Sequence, residues 1–250
     1  MIYCNLKGGF GNIMFQISAT FEFARKNKVE CSFPNLHQHI EYLQNESFCN
    51  KKLTNTEHYK KIFSNLKTSA PHSGIKIINF PFHYVKLDVP KECIIDGFFQ
   101  SEKYFLNSKE KILNLFSHKK QNEYISIHVR RGDYLKKQNF HNCLPQEYYI
   151  KAMSHFPKQK FLIFSDDINW CKKTFIGNQF TFFEGKNDID DLLMMSSCKS
   201  NIISNSSFSW WAAWLNLNKE KKIIAPQQWV GKSLSHIDTR DIQCESWIKI

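Results

Sequence analysis

The sequence predicts an α/β protein whose second half is a doubly wound parallel sheet, and three observations carry that expectation. From residue 121 onward, short apolar runs alternate with helical stretches. The chain opens on an apolar run that closes on two glycines and passes into a helix. Clusters of charged and hydroxyl residues fall immediately after apolar runs. Regular β/α alternation argues for a parallel sheet, and open sheets of that kind bind ligands beyond the carboxyl ends of their strands.

In chain order, Ile2 to Leu6 reads as a strand closing on Lys7-Gly8-Gly9. A helix follows from about Asn12 to Lys28, with Phe15, Ala19 and Phe23 on one stripe. Cys31 to Phe33 reads as a short strand, and residues 35–90 are polar, His-rich and weakly periodic. Glu92 to Gly97 is a further strand, and Lys103 to Phe116 is expected to be helical. The polar stretch Ser117 to Glu123 reads as a linker or a surface loop. Beyond it, strands are expected at 124–130, 160–164, 180–183, 201–203 and 222–225. Helices are expected near 146–156, 168–175, 190–198 and 207–217. Pro145 fits a helix start, and Pro226 ends the last strand. The expected division is a domain over residues 1–120 and another over 121–250, with the last residues packing back on the first.

The chain is long enough to bury real cores, and 42% of its residues are apolar, with Phe frequent at 22. No run reaches the apolar length of a membrane span, and Met1 to Leu6 does not resemble a secretory signal. The eight cysteines never fall at CxxC spacing, which argues against a zinc site. In a reducing compartment they are expected as thiols. Lys and Arg number 34 against 23 Asp and Glu, a formal charge of +11, so an anionic partner is expected. The excess is spread over both halves, 17 against 10 in residues 1–120 and 17 against 13 in residues 121–250. A nucleotide-sugar, nucleic acid or an acidic membrane face would suit that charge. No nucleic-acid-binding module is visible, and nucleic acid is not an expected partner.

The densest chemistry lies in His128-Val129-Arg130-Arg131-Gly132-Asp133-Tyr134-Leu135, directly after an apolar run. The planar forks of Arg130 and Arg131 suit bidentate capture of phosphate oxygens. The alternative is a surface turn in which Arg131 and Asp133 pair with each other. Asn205-Ser206-Ser207 precedes an apolar helix, whose N-terminus offers N–H groups and a positive dipole end to an anion. Plain capping is the simpler account of one such residue. The nearby Trp210, Trp211 and Trp214 read as core. Asp166 and Asp167 follow a buried strand and could hold ribose hydroxyls, base amines or a metal. Asp188-Ile189-Asp190 has the DxD spacing of metal-dependent transferases, but it opens a helix, where acids complement the dipole. Gly9, Gly11 and Asn12 belong to a loop whose glycines permit close backbone approach to a ligand, or form an ordinary strand-to-helix turn.

Four stretches together resemble the α1,2-fucosyltransferases, glycosyltransferase family 11. HVRRGDY is similar to the family's HxRRGDY, and Gly8-Gly9-Phe10-Gly11-Asn12-Ile13-Met14-Phe15-Gln16 to its GGLGNQMFQ. Residues 97–105 are similar to GYFQSEKYF, and Ser204 to Trp214 to SNSSFSWWGAW. Departures are Ile13 where the family often has Gln, Phe10 for Leu, Ala212 for Gly, and a short stretch between Phe33 and Lys91. The resemblance implies a GT-B-like enzyme of two Rossmann-like domains, acceptor-side first and GDP-sugar-binding second, with the donor in the cleft. It implies inverting transfer of L-fucose from GDP-fucose to the 2-hydroxyl of a β-galactoside-terminated oligosaccharide or lipid-linked glycan. Related activities are α1,6- and protein-O-fucosyl transfer. Under it, Ser206, Ser207 and Asn205 cradle the pyrophosphate, His128 meets base or ribose, and Asp190 or Asp191 meets guanine. Arg130, assisted by Arg131, would neutralise the leaving phosphate. Asp133 would be the base for the acceptor hydroxyl or would hold an arginine in place, with Asp96 as the outside choice for base. No cofactor or metal is expected. A bacterial cytoplasmic enzyme is expected, with peripheral contact at an anionic inner membrane face. A polyanion-binding protein without catalysis is the remote alternative.

Overall fold

The computed structural model describes residues 1–45, 56–116 and 121–250. Cys49 and most of the expected linker, residues 117–120, lie outside them. The chain divides into two compact units. Of the described residues, unit 1 takes 1–45, 56–116 and 237–244, and unit 2 takes 121–236 and 245–250.

Unit 1 is built on four parallel strands, β1 (Ile2–Tyr3), β2 (Cys31–Ser32), β3 (Ile77–Asn79) and β4 (Cys93–Asp96), in the order β2-β1-β4-β3. Helix α1 (Phe10–Asn27) leaves β1 through the glycine loop and is buried along most of its length. It ends at Lys28 in the left-handed region, where that residue's N–H caps the last carbonyls. Two short helices, α2 (Leu36–Asn45) and α3 (Thr56–Ile62), and strand β3 occupy the stretch where the sequence shows no clear period. The helix expected over 103–116 is broken instead. Ser101 accepts from the Lys103 N–H and starts a 3₁₀ turn, Phe105 leaves helical geometry, and only Lys109–Leu113 (α4) is α-helical.

Unit 2 holds six parallel strands: β5 (Ile125–Val129), β6 (Phe161–Ser165), β7 (Phe180–Phe182), β8 (Ser200–Ile202), β9 (Ile223–Ala225) and β10 (Ile248–Lys249). Their order is β10-β9-β8-β5-β6-β7, so the chain runs outward from β5 in one direction and from β8 in the other. The intervening helices are α5 (Gln146–Met153), α6 (Ile168–Thr174), α7 (Asp188–Ser196) and α8 (Ser207–Leu215). Both units are thus α/β with wholly parallel sheets, the fold class the sequence predicts. Strands β5 and β6 are buried on both faces, as covered parallel sheets require. Ile125, Ile127 and Val129 enter one core with Tyr149, Ile163 and Phe175. The polar face of β5 is buried too, and Ser126 accepts from the Asn201 side chain at 2.7 Å. Trp210, Trp211 and Trp214 are core, closed by Trp247 with ring centroids 5.4 Å from Trp210.

Candidate functional site at the β5/β8 strand ends

Strand order in unit 2 reverses between β5 and β8, which is where an open α/β sheet forms its ligand crevice. The two strands deliver His128-Val129-Arg130-Arg131 and Ser204-Asn205-Ser206 to one edge. His128 and Ser204 join them, with the imidazole Nδ1 2.8 Å from the Ser204 hydroxyl. His128 is 6% exposed and lies near the Phe208 ring, tilted against it.

Just past β5 the arginines are held by carboxylates in a pattern the sequence does not reveal. Arg130 Nη2 donates to Asp133 Oδ1 at 2.6 Å. Its Nε lies 3.2 Å from Asp166 Oδ2, an ion pair without hydrogen-bond alignment. Arg131 donates through its backbone N–H to Asp166 Oδ1 at 2.9 Å and through Nε to Asp167 Oδ2 at 3.1 Å. The Arg131 guanidinium also lies 4.0 Å over the Trp170 ring, a stacking contact that fixes the plane of its fork. The Arg131–Asp133 pair of the surface-turn alternative is replaced by Arg130–Asp133 and Arg131–Asp167. Among the described residues, two cations therefore face three carboxylates, so the cluster offers directed donors and not an excess of positive charge.

Gly132 is required by this packing. A Cβ on it would stand 2.6 Å from Asp166 Oδ2 and 3.0 Å from Cγ, closer than real side chains approach. Asp167 also serves the local helix, because its Oδ1 accepts from the Trp170 N–H and caps α6. Tyr134 completes the frame. It is buried, its hydroxyl donates to the Asn205 carbonyl at 3.0 Å, and its ring stacks on His141. Burial pushes the Tyr134 phenol up to about 12 and lowers His141 below its ordinary value.

At the β8 side, Ser206 occupies the N-cap of α8 with extended backbone angles, but its side chain accepts nothing from the first turn. Asn205 is 2% exposed. Its Nδ2 donates to the Asn142 and Trp229 carbonyls at 3.0 and 3.1 Å, while its Oδ1 accepts nothing from the described residues. Ser207 is the first, half-buried residue of α8. The arrangement offers uncapped helix N–H groups, a buried amide oxygen and two fixed guanidiniums, a donor set for a phosphorylated ligand.

Asp188 to Asp190 form the first turn of α7. Asn187 caps it: Asn187 Oδ1 accepts from the Asp190 N–H at 2.9 Å, and Asn187 Nδ2 donates to the Asp190 side-chain Oδ2 at 3.3 Å. Asp191 is buried, and a Cβ on Gly185 would stand 2.3 Å from its Oδ1. Among the described residues, no group of three or more His, Cys, Asp or Glu is placed to hold a metal ion. Seven cysteines are described, and all are free thiols.

Gly9, Gly11 and Asn12 belong to unit 1. Gly9 is the N-cap of α1, Gly11 lies in its first turn, and Asn12 Oδ1 accepts from Gln100 Nε2 at 2.7 Å. Sequence reasoning missed Trp170, Asn142, Trp229 and the structural role of Tyr134. Only Tyr134 carried a signal, its place inside the HVRRGDY motif.

Comparison with known proteins agrees with the resemblance drawn from the motifs. The family model for glycosyl transferase family 11 matches residues 1–250. The α-1,2-colitosyltransferase of Escherichia coli is 31% identical, over 98% of this chain and 84% of that one. The O-antigen biosynthesis glycosyltransferase WbnK of Escherichia coli is 27% identical over the whole of both chains. The mouse galactoside 2-alpha-L-fucosyltransferase Sec1 is 21% identical over 86% of this chain and 64% of its own. No described helix is long and apolar enough to cross a membrane.

Proposed function

Because the chain belongs to glycosyl transferase family 11, we propose that it transfers L-fucose from GDP-fucose to the 2-hydroxyl of a terminal β-galactoside, with inversion. The observation that carries this reading is the meeting, at the switch point of a parallel sheet, of two oriented arginines and an uncapped helix terminus. As the anomeric bond breaks, its electron pair leaves with the β-phosphate and charge grows on that oxygen, while the acceptor 2-hydroxyl bonds to the anomeric carbon from the opposite face and releases its proton to a carboxylate or to water. Arg130, aimed by Asp133 and Asp166, supplies donors already in place for it. Arg131, Ser206, Ser207 and the first N–H groups of α8 bind the pyrophosphate, and Asn205 Oδ1 accepts from a ligand hydroxyl or amine. His128, steadied by its bond to Ser204, meets ribose or base, and Asp190 or Asp191 meets guanine. The reaction needs no divalent metal, since these donors take the place a cation would fill.

A second reading has its own support. The 31% identical relative is named for colitose, which is fucose without its 3-hydroxyl. Transfer of colitose by this chain would use the same phosphate chemistry and differ only at that carbon. The test is incubation of the protein with GDP-fucose and with GDP-colitose over a panel of β-galactosides in excess EDTA, with linkage analysis by NMR. An α1,2-fucosyl product is expected. Exclusive use of GDP-colitose would replace the first reading by the second. No transfer from either donor would reject both, and transfer restored only by Mn²⁺ would reject the metal-free mechanism.

A further inference from the structure

Directly beyond the buried Tyr134, unit 2 carries a tip, residues 135–140, in which every residue is exposed. It reads Leu135-Lys136-Lys137-Gln138-Asn139-Phe140. Leu135 is 42% exposed and Phe140 49%. Single apolar side chains on a surface are ordinary. Two large ones at the ends of a short tip, with two lysines between them, call for an account unless the tip is loosely attached.

It is attached firmly. The Tyr134 and His141 rings stack with centroids 4.6 Å apart and close the base of the tip. Within it, the Lys137 N–H donates to the Tyr134 carbonyl at 3.0 Å. The Phe140 and His141 N–H groups both donate to the Lys137 carbonyl, at 2.8 and 2.9 Å. The loop after β9 grips the tip from beside it. The Gly231 N–H donates to the Phe140 carbonyl at 2.8 Å, and the Ser233 N–H to the Asn139 carbonyl at 2.9 Å. A Cβ on Gly231 would stand 2.4 Å from the Asn139 carbonyl oxygen, so this close approach requires glycine. The gripping loop adds the exposed Lys232, and neither 135–140 nor 231–235 contains an acid. Backbone groups are thus satisfied against one another, while apolar and ammonium groups are presented outward on a frame fixed beforehand, which lowers the ordering cost of binding.

That mixture selects a partner. A nucleic acid would engage the lysines and leave Leu135 and Phe140 in water. An apolar groove on another protein would take those two and strand the ammonium groups. An anionic bilayer serves both sets, since the acyl boundary accepts the apolar side chains and the headgroup phosphates accept the lysines. The formal charge of +11 is spread over both halves of the chain and by itself points to no face. We propose that the 135–140 tip, together with Lys232, is a docking surface for an anionic lipid bilayer. The tip follows directly on Asp133, which holds Arg130, so docking sets the β5/β8 strand ends beside the lipid, where a lipid-linked acceptor would be met. That consequence rests on the transferase reading; the docking itself does not.

The test is sedimentation of the full chain with vesicles of phosphatidylcholine, with and without phosphatidylglycerol, at rising salt. Wild type binds the anionic vesicles and is released by salt. Lys136→Gln, Lys137→Gln and Lys232→Gln together weaken partitioning about 100-fold, at about fivefold for each charge. Leu135→Ser with Phe140→Ser weakens it about tenfold or more. In Phe140→Trp, brominated lipid quenches emission beyond the wild-type signal, as an indole in the acyl boundary requires. Melting and GDP affinity by calorimetry stay unchanged in all variants. Failure of wild type to bind, binding indifferent to phosphatidylglycerol, or equal binding by the folded variants overturns the proposal. Capture of duplex DNA but not of vesicles overturns it too and gives the lysines to a polyanion. Vesicle binding that follows these substitutions in a protein using no GDP-sugar leaves the docking surface standing and the transferase reading fallen. Transfer to a soluble galactoside without vesicle binding does the reverse.

Discussion

Replacing Arg130 by lysine separates catalysis from folding at the β5 edge. The Arg130 side chain is 16% exposed and lies between Asp133, at 26%, and Asp166, at 4%. Removing the cation outright would leave the Asp166 carboxylate buried with, among the described residues, the Arg131 N–H as its one hydrogen-bond partner. Breaking a buried pair in that way costs about 3–5 kcal/mol, while the Asp133 contact, being partly solvated, adds under about 1 kcal/mol. An alanine variant would therefore report lost folding as much as lost chemistry. Lysine keeps the charge between the two carboxylates but has no planar fork to serve them and a phosphate together. The expected result is a kcat lower by roughly 10²–10³-fold, about 3–4 kcal/mol of barrier. The unfolding midpoint should fall by only about 2–4 °C, the equivalent of ~1 kcal/mol in a chain of this size. The assay is the initial rate of product formation at saturating donor and acceptor, beside a thermal melt. A folded Arg130→Lys enzyme with wild-type kcat would remove Arg130 from the transition state and leave it a structural cation.

Three further outcomes are expected. Gly132→Ala drives a Cβ to 2.6 Å from Asp166 Oδ2 and should cost about 1–3 kcal/mol of stability, with a loss of kcat as Asp166 releases Arg130; wild-type melting and turnover would show that the loop relaxes freely. Because the Ser206 side chain caps nothing, the double change Ser206→Ala with Ser207→Ala should weaken GDP binding by about 1–3 kcal/mol with little change in melting, and calorimetry showing undiminished affinity would return both serines to local structure. Burial lowers His141, so as pH falls through its ordinary value near 6.5 the unfolded chain takes up a proton that the folded ring refuses, and stability is lost with acid. His141→Phe should flatten that part of the stability profile, and an unchanged slope in denaturant titrations between about pH 5 and 7 would show that other groups govern it.

Much of unit 2 was legible because each strand and helix there declares itself locally. Runs such as Phe161-Leu162-Ile163-Phe164 are short, apolar and bounded by polar residues, and the expected strands at 160–164, 180–183 and 222–225 lie within a residue or two of β6, β7 and β9. Strand β10 was invisible, since Ile248–Lys249 is two residues long and takes its identity from pairing with β9. In unit 1, α2, α3 and β3 were missed for a related reason. Strand β3 reads Ile77-Ile78-Asn79 with apolar Ile77 at an exposed position, so its residues lack the apolar/polar alternation that marks a half-buried strand. The break in the helix expected over 103–116 depends on the Ser101 side chain bonding the Lys103 N–H, a local competition with helix geometry that apolar spacing does not report.

The site was legible as a set of residue types and not as a set of pairs. HVRRGDY, Asp166-Asp167 and Asn205-Ser206-Ser207 stood out because each concentrates charge or hydroxyls just beyond an apolar run. Which carboxylate meets which guanidinium is decided by the β5/β6 register, which sets His128 beside Phe164 and Val129 beside Ser165 and so brings Asp166 and Asp167 to the arginines. Those contacts join residues 35 and 36 apart in the chain, and the His128–Ser204 bond joins residues 76 apart. Once the pairing is known, the chemistry changes character. Arg130 and Arg131 cannot act as surplus positive charge, because Asp133, Asp166 and Asp167 outnumber them. They act as donors whose directions are set by carboxylates, a stacked indole and the absence of a side chain on Gly132. A donor fixed in that way needs no reorganisation when charge develops on a leaving oxygen, and preorganisation of that kind is where electrostatic catalysis draws its strength.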